Sequence, residues 1–178
     1  MTRREYDAQV QSTLEYFEKA QIVLTDEEKA NVEVADFGMG KVKELGLQLV
    51  VYINTDRVCA KEMVLLPGQT CPEHKHVPTN GQAGKEETFR CRYGEVYLYV
   101  EGEKNTDAIS AKLIESEFSV FHEIILKPGE QYTIMPETLH WFQAGPDGAV
   151  ISEFSTRSTD ETDVFTDKRL IRETKIEV

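Results

Sequence analysis

Apolar residues recur at helical intervals near the start of the chain and at strand-like intervals from Leu45 onward. In RREYDAQVQSTLEYFEKA, residues 3–20, Tyr6, Val10, Leu14 and Phe17 stand four, four and three apart. That spacing draws one apolar stripe along a helix, expected to pack across a sheet or a partner subunit. A second short helix is predicted from Thr25 in TDEEKANVEVADF, with Thr25 as N-cap and Glu28 completing a capping box. Gly38 and Gly40 break the pattern.

Short β-rich runs follow: LGLQLVVYIN, VCAKEMVLL, EETFRCRYGEVYLYVEG, EIILKPGEQYTIMP, HWFQAG and AVISEFST, each bounded by Gly, Pro, Asn or Asp. Phe89, Cys91 and Tyr93 alternate with Arg90 and Arg92, and Val96, Leu98 and Val100 with Tyr97 and Tyr99, as in half-buried strands. Pro67-Gly68 and Pro128-Gly129 mark turns. The pattern predicts a mostly-β sandwich or barrel. Residues 1–40 form a helical segment packed on a barrel of residues 41–178, a single domain overall. The polar tail from Ser158 is expected to be ordered in part, with Phe165 and Leu170 as docking residues.

The chain has 178 residues, 40% hydrophobic and 29% charged, enough for one domain with a proper core. A net charge of −12 argues against nucleic acid and anionic membranes as partners, and its simplest meaning is solubility. No apolar run is long enough to span a membrane, and MTRREYDAQVQ lacks a signal-peptide core. The three cysteines, Cys59, Cys71 and Cys91, show no CxxC spacing, which favours a reducing cytoplasm over a disulfide framework. Cys71 and Cys91 flank a histidine pair, so a thiolate ligand is open, although small buried strand residues are the favoured reading.

That pair lies in GQTCPEHKHVPTNGQAGKEETFRCRYG, residues 68–94. A His-x-His on extended backbone puts the imidazoles of His74 and His76 on one face. Glu86 and Glu87 follow, and His140 stands far downstream. Imidazoles plus a carboxylate suit Mn, Fe, Co, Ni or Zn, and a set that leaves positions open is catalytic in type. The fourth histidine, His122, reads as an ordinary strand residue. Lys61 shares its face with Cys59 and Met63, so it points inward if they do, and there it needs water, substrate or a carboxylate. Glu153 follows Ile151 on one face and needs a partner for the same reason. Lys85 and Glu86 read as surface residues, and Trp141-Phe142 as pocket wall and core.

The first stretch resembles cupin motif one: Gly68, five residues, His74-x-His76, a spacer, Glu87, six residues, Gly94. That register selects Glu87 over Glu86. The spacer, VPTNGQAGKE, is longer than usual and reads as an inserted loop at the site mouth. GEQYTIMPETLHWFQ resembles motif two through Gly129, Pro136 and His140. It carries Thr138 in place of the usual glycine, one residue fewer before His140, and Gln143 near the usual asparagine. The resemblance spans roughly residues 60–145 and implies a cupin double-stranded β-helix, a jelly-roll barrel.

Within cupins the chain is similar to the short D-lyxose isomerases. The runs behind this are GKEETFRCRYGEVYLYVEG, MPETLHWFQAG and EFSTRSTDETDVFTD. The resemblance implies a ketol-isomerase with Mn2+, or Co2+, Zn2+ or Fe2+, on His74, His76, Glu87 and His140. It implies Lys61 and Glu153 as catalytic residues lining the pocket, and Asp163 and Arg169 with Lys61 as substrate-binding residues. Asn80 and Gln82 are candidates for hydroxyl binding. The expected partners are a small sugar, D-lyxose with D-xylulose or D-mannose with D-fructose, and a second copy in a homodimer. The rival readings are a sugar-binding cupin without turnover and an Fe-dependent cupin dioxygenase.

Overall fold

Both helices start where a threonine caps them. In this computed structural model, which describes residues 1–177, the Thr2 hydroxyl accepts from the Glu5 amide, and the Thr2 amide donates to the Glu5 carboxylate. The two bonds satisfy otherwise orphaned donors and open α1, Arg3–Lys19. Thr25 and Glu28 repeat the box at α2, Asp26–Ala30, as the sequence predicts. The apolar stripe, however, is rotated by about one position. The buried residues of α1 are Gln9, Thr13, Tyr16 and Phe17, while Tyr6, Val10 and Leu14 lie half-buried along its flanks. The polar members fit because they are bonded. Gln9 accepts from the Gln48 amide at 3.2 Å, and the Thr13 hydroxyl donates to the Gln9 carbonyl at 2.7 Å.

Among the described residues, nine strands make one curled sheet. They are β1 Glu33–Ala35, β2 Leu47–Asn54, β3 Cys59–Leu65, β4 Thr70–Lys75, β5 Glu87–Val100, β6 His122–Leu126, β7 Gln131–Ile134, β8 His140–Ser155 and β9 Val164–Phe165. The architecture is the expected mostly-β curled barrel of cupin type with N-terminal helices. HWFQAG and AVISEFST, read as two runs, merge into β8, which pairs with β3, β4 and β5. β1 and β9 escaped the pattern because three and two residues are too few to alternate.

The merger depends on two glycines. Gly94 and Gly148 both adopt positive φ (70° and 76°) where β5 and β8 pass closely. A Cβ on Gly94 would lie 1.9 Å from the Gly148 carbonyl oxygen. Gly94→Ala is therefore expected to destabilise the fold by about 2–4 kcal/mol, left-handed strain plus overpacking. Urea unfolding checks this as a lower midpoint with an unchanged slope.

The inner face of the curl holds the core, including Leu47, Leu49, Met63, Leu65, Phe89, Cys91, Phe142 and Ile151. On the outer face, Tyr16 and Phe17 of α1 pack against Val50, Val64 and Val150. Another part of that face is covered by the connection between β5 and β6. Tyr99, which alternation places outward, is fully buried there and stacks on Trp141 with ring centroids 4.0 Å apart. Trp141 thus belongs to this outer cluster, and only Phe142 lines the inner cavity. Among the described residues, no helix is long and apolar enough to cross a membrane.

The tail returns across the open end of the curl. It makes a 3-10 turn at Asp160–Thr162, then adds β9 to β4 opposite His74 and Lys75. Phe165 and Leu170 dock as expected. The fully buried Glu73 fastens this arrangement. Its carboxylate accepts from the Ser119 amide and hydroxyl, the Val120 amide and the Thr166 hydroxyl, so one side chain ties the long connection and the tail to β4.

Candidate metal and active site

The sheet register brings the histidines together. His74 of β4 pairs directly with His140 of β8, and His76 follows two residues after His74. Glu87 opens β5, opposite Ser155 of β8. The Nε2 atoms of His76 and His140 each lie 3.0 Å from Glu87 Oε1. The inner donor atoms of His74, His76 and His140 all lie within 4.8 Å of one another. Glu86 is exposed and Glu87 buried, as the motif register implies.

Each imidazole is oriented by its other nitrogen. His74 Nδ1 donates to the Pro72 carbonyl at 2.8 Å, and His140 Nδ1 to the Thr138 carbonyl at 2.9 Å. His76 Nδ1 lies 2.6 Å from Asp163 Oδ1. These acceptors assign the Nδ1 proton; His74 and His140 then face inward with an Nε2 lone pair, as His76 does once its second proton leaves, the arrangement of metal-binding histidines. His140 Nε2 is buried without a hydrogen-bond partner. Its 3.0 Å contact with Glu87 therefore sets lone pair against lone pair, which a cation between them would relieve. Cis ligands of an octahedral ion with bonds of about 2.1 Å stand about 3.0 Å apart. The residues fit a divalent metal.

Electrostatics agree. Burial, joined by His140 and His76, pushes His74 well below the ordinary histidine range, so it is a neutral donor. Burial also opposes charge on His76, but Glu87 and Asp163 outweigh it and raise that imidazole to about 9. Glu87 is held well below the usual carboxylate range, against its burial, by Lys85 and His76. A metal arriving here competes with the His76 proton and releases it. Among the described residues no cysteine joins the clusters that could hold a metal; all three cysteines are buried and free, and burial raises each thiol.

Beside the histidines lies a second charged group. Lys85 Nζ stands 2.8 Å from Glu87 Oε2, 3.1 Å from Glu153 Oε1 and 3.1 Å from Asp160 Oδ1. Lys61 Nζ reaches Asp160 Oδ2 at 2.5 Å, the Ser158 hydroxyl at 2.8 Å and Glu153 Oε1 at 3.7 Å. Burial disfavours both ammoniums, and the surrounding carboxylates hold them charged. A narrow, partly open cavity of about 30 Å³ is lined by His74, His76, Lys85, Glu87, Glu153, Asp160, Asp163 and Arg172, with apolar walls such as Met63, Phe89 and Phe142.

Several sequence expectations change here. Lys85, read as a surface residue, is buried at the centre of the site. Its signal was available, because Lys85 and Glu87 are two apart on extended backbone and share a face. Lys61 is inward as expected but sits behind Glu153 and does not line this cavity. Asp163 reaches the site through His76. Arg169 is half-exposed, paired with Asp167 and Glu115, while Arg172, three residues on, lines the cavity. Asn80 and Gln82 are exposed in the spacer loop. His122 bonds the Glu103 carbonyl away from the site. Asp160 and Arg172 went unnoticed because nothing local in the tail shows that it folds back over the histidines.

A profile of the D-lyxose isomerase family matches residues 9–178. The chain belongs to the D-lyxose isomerase family. It is 63% identical over 165 residues to a D-lyxose/D-mannose isomerase of Thermosediminibacter oceani, covering 92% of this chain and 91% of that one. It is 59% identical, at the same coverage, to a D-lyxose ketol-isomerase of Cohnella laeviribosi. Among solved structures it resembles an Acinetobacter L-ribose isomerase in complex with L-ribose, with a TM-score of 0.76 at 17% identity, covering 99% of this chain and 98% of that one. That last likeness bears on the fold alone. Family membership agrees with the buried His cluster, and both identify a metal-binding isomerase scaffold.

Proposed function

We propose that this member of the D-lyxose isomerase family interconverts D-lyxose and D-xylulose, and D-mannose and D-fructose, with Mn2+ on His74, His76, Glu87 and His140. One observation carries the reading. Three of the four donors, His74, His76 and Glu87, line one cavity together with a separate carboxylate, Glu153; His140 meets Glu87 directly behind them, and the chain's relatives at 63% and 59% identity carry isomerase names.

When bound, the metal supplies Lewis-acid polarisation of the sugar's carbonyl and neighbouring hydroxyl. The chain's own groups do the rest. Glu153 takes the proton from the α-carbon and returns it to the adjacent carbon, through a cis-enediol. Lys85 faces the reacting oxygens and steadies the negative charge that develops there. Lys61 and Ser155 position the Glu153 carboxylate, the serine hydroxyl donating to it at 2.8 Å. Asp163 fixes the His76 ring.

Proton transfer through a carboxylate permits exchange with water, and a hydride shift does not. Isomerisation in D2O is expected to place deuterium on C2 of the recovered aldose, read by NMR. Turnover with no deuterium at that carbon would remove Glu153 from its role.

The chain is also read as a cytoplasmic homodimer. Ile53, Ala60, Phe154 and Thr88 form a continuous row on the outer sheet face, with Ile53 and Phe154 each about half exposed. Light scattering tests the dimer. Three buried free thiols suit a reducing compartment.

A further inference from the structure

The cavity beside the histidines is too small for a sugar. About 30 Å³ holds roughly two water molecules, whereas a pentose has ten non-hydrogen atoms. A much larger groove of about 790 Å³ lies on the surface beside β1 and β2, and Lys61 and Ser158 are among its lining residues. Three residues line both spaces: Leu49, Asp160 and Arg172. They form the partition. Leu49 is a buried core residue on β2. Asp160 and Arg172 come from the tail, and their contact is loose, 3.8 Å between Arg172 Nη2 and Asp160 Oδ2. The guanidinium is held from the groove side by Glu33, at 2.5 Å. Asp160 is held by Lys85 from the cavity side and by Lys61 from the groove side. Arg172 thus has an anchor of its own in Glu33, and what joins it to Asp160 is a long ion pair.

We infer that Arg172 and Asp160 form a gate between the surface groove and the metal cavity, and that the sugar opens it by taking their polar groups onto its hydroxyls. The inference rests on the isomerase reading for its ligand, a small neutral polyol with one carbonyl. A polyol suits this gate chemically. Vicinal hydroxyls donate to the Asp160 carboxylate and accept from the Arg172 guanidinium, so they replace the ion pair without stranding a buried charge. The end of the sugar remote from the carbonyl then lies against the gate while the carbonyl end reaches the histidines. Lys61 and Lys85 keep Asp160 in place as Arg172 swings. Glu33, on the surface strand β1, is the residue against which Arg172 turns.

The test uses the full-length protein loaded with Mn2+, and three variants: Arg172→Met, Arg172→Lys and Glu33→Gln. Glu33 is nearly half exposed, so its variant keeps the test open if the arginine cannot be replaced. Two readouts are taken. The first is steady-state kinetics on D-lyxose. Arg172→Met is expected to raise KM about ten-fold or more with a smaller fall in kcat, and Arg172→Lys to recover part of the loss. The second needs no turnover: the rate at which excess EDTA removes Mn2+ from the loaded protein. Both Arg172→Met and Glu33→Gln are expected to speed removal several-fold. Unchanged removal rates in both variants, or a fall in kcat at constant KM, would overturn the gate. So would a drop in thermal midpoint and metal content with normal removal from the loaded fraction, which assigns Arg172 to structure alone. If the unsubstituted protein turns over no sugar, the isomerase reading fails, and the EDTA rates still decide the gate.

Discussion

Replacing Glu153 by Gln is expected to lower kcat on D-lyxose by about 10²–10⁴-fold while the protein keeps its metal. The substitution preserves volume and removes the negative charge together with the ability to take up a proton. Glu153 is buried on β8, its carboxylate 3.1 Å from Lys85 and 2.8 Å from the Ser155 hydroxyl, and it makes no contact with the three histidines. Metal content measured on the purified variant should therefore match the parent. The charge change is tolerable because Lys85 keeps Glu87 and Asp160 as partners, and Lys61 keeps Asp160. Full activity in the variant would show that another group moves the proton, with Lys85 next in line on geometry.

Replacing His140 by Ala acts on the other half of the site. One donor of four is lost, and Glu87 and His76 are left facing a gap. Apparent Mn2+ affinity is expected to fall by more than about 100-fold, beyond what changing a ligand's supporting residue costs, and turnover to drop to background. Stability gives an independent readout. A metal present at 100 times its Kd stabilises the folded state by about 2.7 kcal/mol. Thermal unfolding of the parent should shift upward when Mn2+ is added, and the variant at the same concentration should not shift. A variant that still gained stability and activity from Mn2+ would place the metal elsewhere.

The ligand set was legible because its information is local. His74 and His76 announce themselves by spacing, Glu87 by its register to Gly94, and His140 by its place near Pro136. The short helix at Thr25 was legible for the same reason, since a capping box is a contact within one turn. What the pattern missed depends on contacts between distant parts. Gln9 and Thr13 look like surface residues until Gln48 is seen opposite. Tyr99 looks exposed until the connection after β5 folds over it. Lys85 was misread because charge was taken as a sign of exposure, although three carboxylates converge on it. Asp160 and Arg172 lie far along the chain from the histidine motif, and only the return of the tail over β4 brings them to the cavity.

The length of β8 has a consequence for how such a protein can diversify. His140 begins the strand and Glu153 stands near its end, so one strand, paired with β5 on both sides of a register shift at residues 145–148, carries both the last histidine and the carboxylate proposed as base. The separation between them is a property of the sheet. The groups that close the cavity, by contrast, come from a tail that adds only the two residues of β9 to that sheet. Changes in the tail can alter which sugar is admitted without resetting the distance over which the chemistry works. Descendants of this scaffold are free to explore new substrates through residues 158–172 while inheriting the same reaction.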